Sequence, residues 1–296
     1  MSHPTSGGGP VIPTTPSALD LIYRDFALNA EQRETRHGEP TGAQGHHLRM
    51  AKNMADDALA TAFVESVATY GEYDNRDQPF FDTRDPLIEA EHRPTVDDDL
   101  KTSSIAWWLE QDPQLRDATG ADLRWTYAAR ELVPLRTAGQ DPATRRQTSA
   151  LSRASRRLDL LLRDPDGSPV VTEVKAKGDQ HPFYGMVQVL LLAAQLASQA
   201  QRSRLATRHG VNAAGPMDVC LVLAANARYF FEPVEGWTRK PKFKPDLTTE
   251  AARLCEGFAE DPRSHAYVRS IIWLDAEMAE GRLVFTERRR FEHEAG

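Results

Sequence analysis

Only two cysteines, Cys220 and Cys255, occur in 296 residues. They stand far apart and outside the paired spacing of a zinc site, so neither a disulfide framework nor a thiolate metal centre is expected, and a cytoplasmic location fits. Long apolar runs are also missing. The longest, Met186 to Ala197, spans about a dozen residues and is interrupted by Gln188 and Gln195, against the roughly 20 that cross a bilayer. It reads as a core helix, and no membrane partner is expected. Nor is there an excess of positive charge. A net charge of −7 excludes a protein that coats nucleic acid through bulk charge. Gly-x-Ser-x-Gly, a Walker phosphate loop and a Gly-x-Gly-x-x-Gly after a strand are all absent, which removes the commonest hydrolase and nucleotide-binding signatures. No internal repeat is evident, and the polar, Ser/Gly/Pro-rich start does not read as a signal peptide.

With 40% apolar and 27% charged residues, the chain has enough core-forming material for one large or two modest domains. Residues 1–17, with Gly7-Gly8-Gly9 and four prolines, read as a disordered tail. Residues 18–99 read as a helical N-terminal extension and connector. Ala18 to Phe26 starts a short helix, and His37 to His47 is a Gly-rich loop whose His46-His47 pair lacks further ligands. Ala55 to Tyr70 is helical, with Leu59, Ala62 and Phe63 on one face and Glu65 turned away from it. The stretch from Tyr73 to Asp99 is acidic and proline-punctuated.

From residue 100 onward the pattern changes. A helix capped by Thr102 or Ser103 runs through Trp107 and Trp108 to Glu110. A strand follows over Tyr127 to Leu135, then two more around a turn. A helix begins at His181-Pro182 and carries Tyr184, Gln188, Leu191, Leu192 and Gln195 on one face. Met217 to Ala224 reads as a buried strand. Leu247 to Phe258 reads as a helix, and Tyr267 to Leu274 with Arg282 to Thr286 as a closing hairpin.

The chemistry concentrates at the turn. Arg157-Leu158-Asp159-Leu160-Leu161-Leu162 and Val170-Val171-Thr172-Glu173-Val174-Lys175 flank Asp164-Pro165-Asp166-Gly167-Ser168-Pro169, which is a β-hairpin pattern. A turn centred near Asp166 sets Asp159 opposite Glu173, with Cβ atoms about 4.5–5.5 Å apart. Alternation then puts Glu173, Lys175 and Lys177 on one face and Thr172, Val174 and Ala176 on the other. Two carboxylates among leucines and valines call for a compensating cation. Their hard oxygens suit Mg²⁺ or Mn²⁺, which keep waters and accept phosphate oxygens in open positions.

Asp159, then Glu173-Val174-Lys175, then Gln188 on the next helix resembles the catalytic core of the PD-(D/E)xK nuclease superfamily. The resemblance covers roughly residues 100 to 230, and Arg157-Leu158 stand where the eponymous pattern has proline. It implies an α/β, restriction-endonuclease-like αβββαβ core with a mixed sheet over residues 100–296. Asp159 and Glu173 would hold the metal, assisted by the Val174 backbone carbonyl. Lys175 would activate or position water, and Gln188 would fill the polar helix position. For the first-helix glutamate, Glu65, Glu110 and Glu131 compete, and Glu110 leads because its helix precedes the first strand.

Arginines cluster before the metal strand. Arg145, Arg146, Arg153, Arg156 and Arg157 occur without an acid between Thr144 and Arg157, so Arg153, Arg156 and Arg157, with Lys177, are candidate nucleic-acid contacts. Arg239 to Lys244 and Arg288 to Arg290 are further candidates. The sequence therefore points to a metal-dependent nuclease acting on nucleic acid, a DNA endonuclease, and leaves room for a homo-oligomer. The alternative is a non-catalytic nucleic-acid- or nucleotide-binding module on the same fold.

Overall fold

The structure, a computed structural model, describes residues 16–23, 48–72, 81–82, 102–111, 113–134, 158–175, 182–224 and 245–293. Short helical stretches at 18–23 and 48–53 precede α1 (Ala58–Glu72), β1 (Phe81–Asp82), α2 (Thr102–Gln111) and β2 (Gln114–Arg116). Then come β3 (Thr126–Val133), β4 (Leu158–Arg163), β5 (Pro169–Lys175), α3 (Pro182–Leu196), α4 (Gln199–His209) and β6 (Met217–Ala224). The chain closes with α5 (Pro245–Glu260), α6 (Pro262–His265), β7 (Val268–Ala279) and β8 (Arg282–Glu292).

The strands form one eight-stranded mixed sheet in the order β1-β3-β4-β5-β6-β7-β8-β2. β3, β4 and β5 are an antiparallel meander. β6 lies parallel to β5, β7 parallel to β6, and β8 folds back antiparallel on β7. Every residue of β6 is buried, as expected of a strand with parallel neighbours and covered faces. That burial is why Met217 to Ala224 reads as continuously apolar.

The sheet separates two cores. On one face, α1, α3 and α5 pack with Leu158, Leu161, Val171, Leu221 and Trp273. On the other, α2 packs its Ile105, Trp107, Trp108 and Leu109 against Leu160, Val170, Val174, Val222 and Ile272. α3 is buried along nearly its whole length between sheet and helices, with Gln188 the half-buried exception, so it is apolar all round rather than on one stripe. Among the described residues no single helix is long and apolar enough to cross a membrane.

The β4–β5 turn follows from its residues. The Asp164 carboxylate accepts from the amides of Asp166 at 2.9 Å and Ser168 at 2.7 Å, and Gly167 takes a φ of 80°, the left-handed conformation that glycine adopts without a Cβ clash. A second clamp holds this end of the sheet. Arg269 on β7 donates to both Asp164 and Asp218, and Ser270 Oγ donates to Asp218 at 2.8 Å.

Several expectations need correcting. The helix expected from Ala55 begins at Ala58, after a turn over residues 56–57. β8 runs to Glu292 rather than Thr286; its charged run stays in register because acids balance the arginines, as with Arg288 on Asp275 at 3.0 Å. α4, β1 and β2 were not anticipated. α1 also belongs to the same apolar cluster as α3 and α5, with Phe63 edge-on to Phe258 at 5.3 Å. The tail over 1–15, the His46-His47 loop, and most of the acidic connector lie outside the described residues.

Candidate active site

Position comes first from strand register. The β4–β5 ladder pairs Leu162 with Val170, Leu161 with Val171 and Leu160 with Thr172. The paired register ends there, with Asp159 the next residue beyond Leu160 on β4 and Glu173 the next beyond Thr172 on β5. There the Asp159 carboxylate takes over from the main chain. Its Oδ2 accepts the Val174 amide at 2.8 Å, which fixes the carboxylate beside the Glu173–Val174 backbone.

Glu173 and Lys175 lie two residues apart on β5 and project to the α3 face. Glu173 is 1% exposed and Lys175 6%, so neither is the solvated edge of an amphipathic strand. Lys175 Nζ donates to Glu173 Oε1 at 2.7 Å and to Gln188 Oε1 at 3.3 Å. It also lies 5.8 Å from the centre of the Tyr184 ring, within the range of a cation–π attraction. Burying the carboxylate is tolerable because the ammonium accompanies it and both are hydrogen-bonded. Val174 sends its side chain into the opposite core, so only its main chain is available on the site's face.

Two residues that shape the site carried no catalytic signal in the sequence. Gly185 lies inside α3, where glycine costs about 1 kcal/mol relative to alanine. A Cβ there would stand 2.7 Å from Lys175 Cε and 3.0 Å from Leu221 Cδ1, so the missing side chain is the groove along which the Lys175 stem runs. A glycine within an apolar helix was the available cue. Tyr184, visible only as a neighbour of Gln188 on the helix, packs against Tyr23 with ring centres 4.5 Å apart.

The remaining candidates divide. Glu110 is half-buried on α2, the helix of the opposite face, and one of its carboxylate oxygens is enclosed without a hydrogen-bond partner. No group of three histidine, cysteine or carboxylate side chains able to hold a metal forms among the described residues, so Glu110 is not brought together with Asp159 and Glu173. Glu65 is exposed, as expected. The Glu131 side chain, Arg153, Arg156, Arg157, Lys177 and the run from Arg239 to Lys244 lie outside the described residues. The run at 288–290 is committed internally: Arg288 pairs with Asp275, Arg289 with Glu256 and Arg290 with Glu287. Those arginines serve the fold of β8 first.

The site thus contains two carboxylates on adjoining strands, one half-buried and one enclosed, with a buried ammonium, an amide side chain and an aromatic face. Such a set can hold a hard cation beside an anionic group and place a proton donor next to both. No family model, curated protein or solved structure matches the chain.

Proposed function

We propose that this chain is a metal-dependent nuclease that hydrolyses phosphodiester bonds in nucleic acid, a DNA endonuclease with a restriction-endonuclease-like core. The observation that carries the reading is the buried hydrogen-bonded set of Glu173, Lys175 and Gln188, with Asp159 on the adjoining strand held by the amide of Val174, the residue between Glu173 and Lys175. The element order α2-β3-β4-β5-α3-β6, with β2 inserted after α2 and α4 before β6, and β6 parallel to β5 supports it, because apart from those insertions it is the αβββαβ order that the superfamily resemblance implies.

The residues present fit a hard divalent cation. Asp159 and Glu173 supply carboxylate oxygens, and Val174 offers only its carbonyl on that face. Mg²⁺ typically takes one or two carboxylates and completes its shell with water and phosphate. When bound, such an ion polarises the phosphodiester and lowers the pKa of a bound water. The chain's own contribution is positioning. The Val174 amide holds Asp159 in place. Gln188 and Glu173 aim the Lys175 ammonium, which orients the attacking water or stabilises charge developing on the phosphoryl oxygens. The enclosed α3 side keeps the Glu173–Lys175 pair out of bulk water, where its electrostatic effect is larger.

A second reading, a nucleic-acid- or nucleotide-binding module on the same fold, is favoured by one observation. The 2.7 Å Lys175–Glu173 contact already neutralises Glu173 with an ammonium. Cleavage of supercoiled plasmid and single-stranded DNA with Mg²⁺, Mn²⁺ or EDTA decides between them, using wild type, Asp159→Asn and Gln188→Ala, each verified as folded by circular dichroism. Metal-dependent cleavage abolished in Asp159→Asn and reduced in Gln188→Ala is the expected result. Cleavage that persists in Asp159→Asn refutes the site; DNA binding without cleavage by wild type selects the binding module.

A further inference from the structure

The aromatic ring that packs on Tyr184 comes from the N-terminal part of the chain. Residues 18–23 form a helical stretch pinned to the core by a buried polar network. Asp20 Oδ2 accepts from Tyr70 OH at 2.7 Å and from Ser17 Oγ at 2.9 Å, and Gln195 of α3 donates to Tyr70 OH at 3.4 Å. The Leu19 side chain is fully buried. This segment is therefore seated firmly, and what it delivers is Tyr23. The Tyr23 ring lies 4.5 Å from that of Tyr184 at an interplanar angle of 31°, and the Tyr184 ring lies 5.8 Å from Lys175 Nζ. Tyr184 is almost enclosed, whereas Tyr23 keeps part of its surface in solvent.

We propose that Tyr23 is a nucleobase-stacking residue of this site, so that the strand bound there is single-stranded or locally unpaired. The inference rests on the nucleic-acid reading above. A partly exposed aromatic ring stacked on Tyr184, whose own ring lies 5.8 Å from Lys175 Nζ, is placed to receive the face of a base adjacent to the phosphate that Lys175 meets. In a duplex that face is already covered by its neighbours, whereas an unpaired base offers it, and stacking on aromatic side chains is the usual grip on single strands.

The test measures binding in EDTA, where cleavage does not intrude, of an oligothymidylate, an abasic strand of equal length and a matched duplex, by wild type, Tyr23→Phe and Tyr23→Ala. Wild type and Tyr23→Phe are expected to prefer the base-bearing strand over the abasic strand by about five-fold or more. Tyr23→Ala is expected to lose that preference while its affinities for the abasic strand and the duplex stay at wild-type values, which also confirms that the variant is folded. A preference retained in Tyr23→Ala, no preference in wild type, or no single-strand binding by wild type overturns the proposal. The nuclease reading is scored separately by cleavage in Mg²⁺. Cleavage without the base preference sinks only the role of Tyr23, and the preference without cleavage sinks only the enzyme.

Discussion

Replacing Gly185 with alanine tests whether the close contact between α3 and Lys175 sets the site. The added Cβ would lie 2.7 Å from Lys175 Cε, 3.0 Å from Leu221 Cδ1 and 3.2 Å from Lys175 Cγ, whereas carbon atoms rest comfortably at about 3.5–4.0 Å. Leu221 is fully buried in the middle of β6 and laddered on both sides, so the Lys175 stem is the part that gives. Relieving the overlap moves it by roughly 1 Å and draws Nζ off Glu173 and Gln188. Alanine gains about 1 kcal/mol of helix propensity, and overpacking costs about 1–3 kcal/mol, so net stability is expected to change little or fall by up to about 2 kcal/mol. Activity should respond more. A displacement of that size at a positioned group costs on the order of 10²-fold in rate. Gly71→Ala is the control, because it makes the same substitution in the last turn of α1, where the propensity gain is smaller, with no atom within 4 Å of the new Cβ. Thermal denaturation by circular dichroism and the metal-dependent cleavage rate are read for both variants. Gly71→Ala should melt at or above wild type and cleave normally. If Gly185→Ala behaves identically, melting higher and cleaving at the wild-type rate, then the groove does not position Lys175 and the reasoning fails.

Three further outcomes are expected. Gly257→Ala would place its Cβ 2.1 Å from the Asp56 carbonyl oxygen; with backbone on both sides, α5 must separate from the 54–57 turn, and urea titration should show a loss of about 3 kcal/mol or more. Arg269→Leu removes the cation from Asp218, 1% exposed, and Asp164, 7% exposed. Because the arginine is itself partly solvated and Ser270 and the turn amides still serve the two carboxylates, the loss should be about 1–3 kcal/mol at neutral pH, measured by the same titration; an unchanged midpoint would show that the clamp contributes nothing. Alkaline stability should fall. Burial raises the folded-state pKa of Tyr70, Cys220 and Cys255 well above the ordinary values, with the nearby Asp20 carboxylate adding to the effect at Tyr70. Each group therefore holds its proton in the folded state after the unfolded chain has released it. Stability is fully present below the unfolded values of about 8.5 and 10 and declines as pH rises beyond them, at up to about 1.4 kcal/mol per pH unit for each group. Tyr70→Phe should remove the portion that begins near pH 10, as read from melts between pH 8 and 11.

The hairpin and its neighbours were legible because local rules and burial agreed there. Asp164, Gly167 and the β-branched run after it specify a turn, and the turn centre fixes the register that pairs Leu160 with Thr172. Gln188 was legible as a polar interruption in an otherwise apolar helix. Other parts were not. The charges of β8 hide a strand because the acids that balance them, Asp275 and Glu256, come from elsewhere in the chain. The α4 helix is polar and short, and it shows itself through its Ser198 cap and Gly210 terminus rather than through an apolar stripe. Glu110 was placed on the right helix, but helix order does not say which face of the sheet that helix covers.

Sequence by itself determined the apolar strands, their turn and the carboxylate–lysine alternation, since these depend on neighbours a few residues away. Tertiary structure alone decided that Glu173 and Lys175 are enclosed under α3, that Gly185 is the gap the lysine stem occupies, and that Tyr23, some 150 residues earlier in the chain, packs on Tyr184. The physical reason is that burial and cross-element contact are set by which helix face meets which sheet face, and that choice belongs to the packing of the whole chain rather than to any one segment of it.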